Sequence, residues 1–184
     1  DGWTIVNGTQ TNKWHLGTAT YSSASHSMYI SNNSGASNAY TTTSASVVHV
    51  YRDIAFTEGV DGFDFEFDFK GYGEANFTDA MDVYLLPTSV TPTAGTDLYG
   101  SYQDYYLFST YLQSNWVSVG GVLGSSYAGG TWRLCFQWYN DSSVGTQPPA
   151  AIDNIKISHQ PTGSIVLSDE SWDYGLSFIG ASNC

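Results

Sequence analysis

Basic residues are scarce in this sequence. Its 184 residues include five Lys and Arg against 17 Asp and Glu, which gives a formal net charge of −12 at pH 7. Binding to nucleic acids or to anionic membrane surfaces depends on Lys and Arg side chains that neutralise phosphates. We therefore expect no nucleic-acid partner, whereas cations and neutral glycans are compatible with this charge.

The sequence also lacks an apolar run of transmembrane length and a signal peptide, so we expect no insertion into a membrane. Cysteine is nearly absent: Cys135 falls inside an apolar strand pattern, and Cys184 is the last residue. Two such positions match no metal-binding spacing, and they leave open whether the thiols pair. Few Lys among many Tyr, Ser, Thr and Asn favour an extracellular or cell-surface protein.

Aromatic residues, in contrast, are abundant, with 14 Tyr, 9 Phe and 6 Trp. The clearest pattern is DGFDFEFDFK at 61–70, where Phe63, Phe65, Phe67 and Phe69 alternate with charged residues. A period of two sorts these side chains onto opposite faces of a strand, and no helix would do so. This segment therefore predicts an antiparallel strand with an aromatic face on the core and a charged face outside.

Further short strands are predicted along most of the chain, and no segment predicts a helix longer than two turns. The predicted strands are 2–6, 14–18, 27–31, 44–54, 61–70, 81–86, 105–111, 116–123, 131–139 and 150–158. This spacing predicts an all-β fold, an antiparallel two-sheet β-sandwich of the jelly-roll type, over residues 1–160. The segment 163–180 begins a new strand pattern, so 161–184 is predicted to be a C-terminal extension or the start of a following β domain.

Several segments, in this order, resemble a family of extracellular jelly-roll modules from secreted and surface proteins of Bacteroidetes-type bacteria. This is the cleaved-adhesin or choice-of-anchor J group, which is related to MAM domains. The matching segments are GW at 2–3 followed by Trp14 and Gly17, SMYISN at 27–32, FDFKGYGE at 67–74, DVYLLP at 82–87 and WRLCFQWYNDSSVGTQPPAAIDNIKIS at 132–158. The last segment is the most specific of them.

The resemblance implies a two-sheet sandwich without catalytic activity that serves adhesion or ligand binding within a larger secreted protein. The expected partner is a glycan or a cell-surface protein. Such modules usually carry an acidic residue on a strand before the GW pair, whereas this sequence starts at Asp1. Either that strand is missing from this chain or another segment takes its place.

Structural calcium is the metal site that the sequence predicts. In related jelly rolls an Asp at the position of Asp153 helps to bind calcium, so the resemblance implies the same role here. Hard cations take carboxylate and carbonyl oxygens from loops. Asp141 starts one polar loop, and Glu74, Asp79 and Asp82 flank another. We therefore predict Asp153, Asp141, Glu74 and Asp82 as ligands; the alternative is that Asp141 caps a turn and Asp153 accepts backbone hydrogen bonds.

Two other functions fit parts of the sequence. Glycan binding is indicated by aromatic residues around one loop, and we predict Tyr102, Tyr105, Tyr106 and Trp116 as the ligand-binding residues. Carboxylates at Asp64, Glu66 and Asp68 share a strand face, as in some glucan-cleaving jelly rolls, although a solvated face paired with Lys or Arg across the ladder is the more economical interpretation.

Self-association is the last alternative. A missing first strand and an unpartnered apolar tail are complementary features, so that copies of the chain could form a surface fibre by strand addition. Truncation of a following domain explains the tail equally well.

Overall fold

The computed structural model describes residues 2–23 and 25–160, and their strands form two five-stranded sheets packed face to face. The first sheet has the order β1-β4-β9-β6-β7, and the second has the order β2-β3-β10-β5-β8. All neighbouring strands pair antiparallel. The predicted all-β sandwich of the jelly-roll type is confirmed.

The strands and the short helices have the following bounds. The strands are β1 (Thr4–Val6), β2 (Lys13–Gly17), β3 (Ser27–Ser31), β4 (Ser46–Ala55), β5 (Gly62–Gly71), β6 (Asp79–Pro87), β7 (Tyr106–Thr110), β8 (Gln113–Gly124), β9 (Thr131–Asn140) and β10 (Ala151–His159). The helical pieces are α1 (Tyr99–Tyr102) and 3-10 turns at Ala75–Phe77, Gln103–Tyr105 and Ser125–Tyr127. Each predicted strand is present, with ends that differ by a few residues.

The core between the sheets is built on β5, whose aromatic face is buried as the alternation predicts. Phe63, Phe65, Phe67 and Phe69 are all exposed by 3% or less, and Asp64 and Glu66 on the other face are exposed. The first sheet contributes Phe136 and Trp138 of β9 to the same core. The two-sided pattern of one strand thus defines which face of the second sheet meets the first.

The outer face of the first sheet carries a second, smaller core. Tyr84 and Leu86 of β6 and Cys135 of β9 are fully buried there, under the segment 88–105 that joins β6 to β7. Leu98 inserts from that segment, and Arg133 Nη1 donates a 2.6 Å hydrogen bond to the carbonyl of Val90. The segment 88–105 has no regular structure apart from the single turn of α1 and the 3-10 turn Gln103–Tyr105. Because it covers only part of the sheet face, it leaves a cavity beside it.

The predicted extension at 161–184, and with it the alternative of a fibre completed by that tail, lies outside the described residues. The domain boundary near residue 160 therefore stays a prediction. Among residues 2–23 and 25–160, no helix has the length and apolarity needed to cross a bilayer.

Candidate functional site: a cavity and a carboxylate cluster

Three carboxylates meet where the β5–β6 connection and the end of β9 come together. Glu74, Asp79 and Asp141 each offer one oxygen within 4.8 Å of the others, and we call them the carboxylate cluster. Glu74 and Asp141 were predicted as calcium ligands. Asp79 flanks the same loop as Glu74 but was not selected, although its place directly before the apolar run of β6 is the signal that it would be buried.

Local structure holds the three side chains in place. The β5–β6 connection turns at Gly73, whose φ is +65°, and a Cβ atom there would overlap the carbonyl oxygen of Asp79. The amide of Glu74 donates to that same carbonyl at 3.1 Å. At the end of β9, the buried Asn140 donates a 2.9 Å hydrogen bond to the carbonyl of Ser44, which fixes the residue before Asp141.

Asp79 is fully buried and already hydrogen bonded, whereas Glu74 is not. The hydroxyl of Tyr40 donates to Asp79 Oδ2 at 2.6 Å, and the amide of Asp141 donates to Asp79 Oδ1 at 3.0 Å. Burial raises the pKa of Asp79 and also that of the Tyr40 hydroxyl. Glu74 Oε2 is buried without any hydrogen-bond partner in the part of the chain that the structure describes.

No basic side chain neutralises the cluster within the described residues. The two ion pairs found there join Arg133 to Asp53 and Lys156 to Glu66, and neither acid belongs to the carboxylate cluster. Asp79 is fully buried and Glu74 and Asp141 are partly buried, so that their ionised carboxylates repel one another, and a cation between them would remove this repulsion. An orphaned carboxylate oxygen and the all-oxygen donor set fit a hard cation such as calcium.

The structure does not bring the other two predicted ligands to this cluster. Asp153 Oδ2 accepts hydrogen bonds from the amides of Ser22 and Ser23 at 2.9 and 3.0 Å, and its Oδ1 accepts from the amide of Asn154 at 2.8 Å. Asp153 therefore accepts backbone hydrogen bonds, as the alternative to a role as calcium ligand predicts. Asp82 lies in the cavity on the outer face of the first sheet.

That cavity, which we call the β6–β7 cavity, has a volume of about 510 Å³ and is bounded by aromatic rings. Four aromatic residues line it: Phe77, Tyr99, Tyr106 and Tyr139. Phe77 and Tyr99 are 50% and 46% exposed, so their rings are open to a ligand. Phe77 has the left-handed φ of 61°, an uncommon conformation for a bulky residue, and Tyr139 donates a hydrogen bond to its carbonyl.

The polar floor of the β6–β7 cavity consists of Asp82, Asp97 and Ser109, with Gln137 beneath them. Gln137 Nε2 donates to Asp97 Oδ1 at 2.8 Å and to Asp82 Oδ2 at 3.4 Å, so that one amide joins both carboxylates. Ser109 donates to Asp82 Oδ1, and the Tyr84 hydroxyl donates to Asp82 Oδ2 at 3.3 Å. Asp97 is exposed, whereas Asp82 is only 4% exposed.

Burial is the main cause that raises the pKa of Asp82 to about 6, and the neighbouring charge of Asp97 raises it further. Hydrogen bonds from Ser109, Tyr84 and Gln137 oppose the shift. Gln137 is itself oriented by two contacts of its Oε1, with the Leu98 amide at 2.9 Å and with His49 Nε2 at 3.1 Å. A fully buried polar side chain thus aims both of its donors at the cavity's carboxylates.

The raised pKa of Asp82 predicts a specific pH dependence of stability. Its folded pKa of about 6 exceeds the ordinary value of 3.8, so the folded state holds a proton that the unfolded state has lost between these values. This contribution to stability is present at low pH and is lost as pH rises through 6. Between about pH 5 and pH 7, the free energy of unfolding of the protein should fall by about 1 kcal/mol more than that of its Asp82→Asn variant. Urea unfolding of both proteins measures the difference, and parallel pH profiles would contradict it.

The four residues predicted to bind a ligand lie in different surroundings. Tyr106 lines the β6–β7 cavity, and Tyr99 contacts it edge-on at 5.7 Å between ring centroids. Tyr102 and Tyr105 pack against the second core. Trp116 lies on β8 of the second sheet, with Lys70 Nζ 5.7 Å from its ring centroid. Tyr106 is the only one of the four that lines the cavity.

The charged face of β5 is paired across the sheet, as the more economical interpretation expected. Lys156 of β10 lies opposite Glu66 and donates to it at 2.9 Å. Asp64 accepts a 2.9 Å hydrogen bond from Gln160, and Asp68 accepts one of 2.7 Å from Asn154. These contacts occupy the carboxylates that were considered as a glucan-cleaving group.

Comparison with known proteins adds to the description of the fold. No protein-family model matches the chain, and no curated protein matches it in sequence. The enzymatically active domain of tailspike protein 4 from bacteriophage CBA120 is similar in structure, with a TM-score of 0.52 and 16% identity over 87% of this chain. The match covers 20% of that structure, so this chain spans about a fifth of its length.

Two other solved structures are similar at lower TM-scores. The K1 cleaved adhesin domain of Lys-gingipain from Porphyromonas gingivalis W83 has a TM-score of 0.48 and 13% identity, covering 86% of this chain and 91% of that one. The family 11 carbohydrate-binding module of Lic26A-Cel5E from Clostridium thermocellum has a TM-score of 0.48 and 12% identity, covering 87% and 89%. At these identities the likeness concerns the fold.

Proposed function

We propose that this chain is a non-catalytic, ligand-binding module of an extracellular or cell-surface protein, and that a glycan binds in the β6–β7 cavity. The observation that supports this proposal is the pairing of exposed rings at Phe77 and Tyr99 with the carboxylates of Asp82 and Asp97. Aromatic faces stack on the C–H faces of sugars, and oriented carboxylates accept hydrogen bonds from sugar hydroxyls. A cavity of about 510 Å³ is of the size of known small-ligand sites.

Binding fits this geometry better than glycoside hydrolysis does. A glycosidase of the usual kind needs two carboxyl groups that both reach the scissile bond. Asp82 is 4% exposed, and both of its oxygens already accept hydrogen bonds from the protein. Of the two cavity carboxylates, Asp97 is thus the one that a ligand can reach. Asp97 therefore has no second accessible carboxyl group that could act with it as general acid or base.

A glycan array followed by calorimetric titration of the strongest binder tests the proposal. Replacing Tyr99 by alanine should weaken binding about tenfold, because it removes an exposed ring from the cavity wall. The matched control is Tyr21→Ala, since Tyr21 is 48% exposed but does not line the cavity. Failure to bind any glycan, or equal losses in the two variants, would contradict a glycan site here. Release of shorter sugars from a bound glycan would overturn the non-catalytic assignment.

We further propose that the carboxylate cluster holds a structural calcium ion. Glu74, Asp79 and Asp141 would be its carboxylate ligands, because their oxygens converge without a basic neighbour among the described residues. The orphaned Oε2 of Glu74 supports this assignment. An ion at this position would tie the β5–β6 connection to the end of β9. Metal analysis of the purified protein tests the assignment directly, with one equivalent of calcium expected.

A further inference from the structure

The charge of the β6–β7 cavity restricts the kind of glycan that it can accept. Its lining residues include two acids, Asp82 and Asp97, and no Lys or Arg. Both ion pairs of the described part of the chain lie elsewhere, at Asp53 and Glu66. Sugars that carry carboxylate or sulfate groups would therefore meet uncompensated negative charge in the cavity and be repelled.

The protein gives the same two carboxylates neutral hydrogen-bond donors but no basic partner in the cavity lining. Gln137 Nε2 donates to both of them, at 3.4 Å to Asp82 and 2.8 Å to Asp97, and the other donors are Ser109, Tyr84 and the Tyr99 amide. Asp82 is almost fully buried, where an unpaired charge interacts more strongly with its surroundings than in water. A ligand that brings a positive charge near these groups would relieve the repulsion between them, whereas a neutral sugar would leave it in place.

The aromatic residues that line the cavity also favour a positively charged ligand. The faces of aromatic rings attract cations, and cages of aromatic rings bind ammonium groups in other proteins. Phe77, Tyr99 and Tyr106 line the cavity together with Asp82 and Asp97. A metal ion is a poorer occupant, because Asp82 is only 4% exposed and Asp97 is then the one carboxylate that the open part of the cavity offers as a ligand.

We propose that the β6–β7 cavity selects glycans that carry free amino groups, such as oligosaccharides of glucosamine, over their N-acetylated and neutral counterparts. The inference rests on the glycan-binding function proposed above and adds the charge of the ligand to it. A protonated amine would contact the exposed carboxylate of Asp97, and a sugar ring would stack on Tyr99. Asp82 would act on the amine through its charge and through Ser109, which donates a hydrogen bond to it and also lines the cavity.

The test compares three ligands of equal length by titration near pH 7: chitosan tetrasaccharide, chitin tetrasaccharide and cellotetraose. We expect the amino form to bind at least about tenfold more tightly than the other two, as one close charge pair in a protein site allows. Added salt should reduce this preference. Equal binding of the three would overturn the inference and leave the glycan site intact, and binding of none would overturn both.

The net charge of −12 could attract any amine to the whole surface, so the assignment to this cavity needs a matched pair of variants. Asp97→Asn keeps an acceptor for the Tyr99 amide and removes the charge, and Asp104→Asn removes the same charge from an exposed position outside the cavity lining. We expect Asp97→Asn to lose the preference for the amino form, with Asp104→Asn unchanged. Equal effects of the two variants, or equally tight binding of tetralysine, would overturn the assignment.

Discussion

Replacing Phe67 by alanine is expected to lower the free energy of unfolding by about 3–5 kcal/mol, the usual cost of removing a buried phenylalanine. Phe67 is 1% exposed and lies at the centre of the aromatic core. Its ring stacks on Phe108 at 6.2 Å between centroids and meets Phe136 edge-on at 5.1 Å, so it joins β5 of the second sheet to both β7 and β9 of the first. These neighbours belong to different strands and cannot collapse together into the vacated volume.

Urea unfolding of the variant and of Asp64→Ala measures this effect on the two faces of one strand. Asp64 is exposed on β5, and its replacement should change stability by no more than about 0.5 kcal/mol, as for most surface positions. In a chain of this size, the loss at Phe67 corresponds to a melting temperature lower by roughly 10 °C. A cost below about 1 kcal/mol for Phe67→Ala, or similar costs for both variants, would show that the core does not depend on the alternation of β5.

The strands could be predicted because their information is local. In β5 and β9, the alternation of apolar residues such as Phe65 and Phe136 indicates which face of the strand is buried. This prediction needs no information from other parts of the chain. The outer face of β9 is different. Cys135 and Gln137 are also fully buried, because the segment 88–105 folds over them. The periodicity of β9 alone does not predict that this segment covers its outer face.

The candidate site was harder to predict because it depends on which strands are neighbours. Asp82 was predicted as a metal ligand from its nearness to Glu74 along the chain, but it lies on the outer face of β6, beside Gln137 of β9. Asp97 belongs to the covering segment and reaches the same amide from the other side. A buried glutamine between two acids is visible only when the sheet order β9-β6-β7 is known.

The carboxylate cluster was predicted in part for the opposite reason. Glu74 and Asp141 each stand in a polar loop next to a strand, and loops at one end of a sandwich come together whatever the order of the strands. Asp79 was not selected as a ligand although it flanks the same loop as Glu74, and its pairing with Asn140 of β9 is known only from the structure. Its burial follows from the contacts of Tyr40, which is remote in sequence.

Removal of the calcium ion proposed for the carboxylate cluster is expected to lower the melting temperature by several degrees. An ion that binds only the folded state at a hundred times its dissociation constant stabilises that state by about 2.7 kcal/mol. Without the ion, the carboxylates of Glu74, Asp79 and Asp141 repel one another, and the β5–β6 connection loses its tie to the end of β9. Scanning calorimetry with EDTA and with excess calcium measures the shift.

Two variants identify the position of the ion, because the resemblance implies Asp153 as a ligand and the geometry implies Glu74. Glu74→Gln should abolish the difference between EDTA and calcium, since it removes the carboxylate whose Oε2 has no partner among the described residues. Asp153→Asn should retain the difference, because that carboxylate is already engaged by the amides of Ser22, Ser23 and Asn154. Comparing each variant with itself, with and without chelator, removes any direct cost of the substitution. The reverse result would show that the ion binds at Asp153 instead. A melting curve of the unmodified protein that EDTA does not change would contradict the presence of a structural calcium ion.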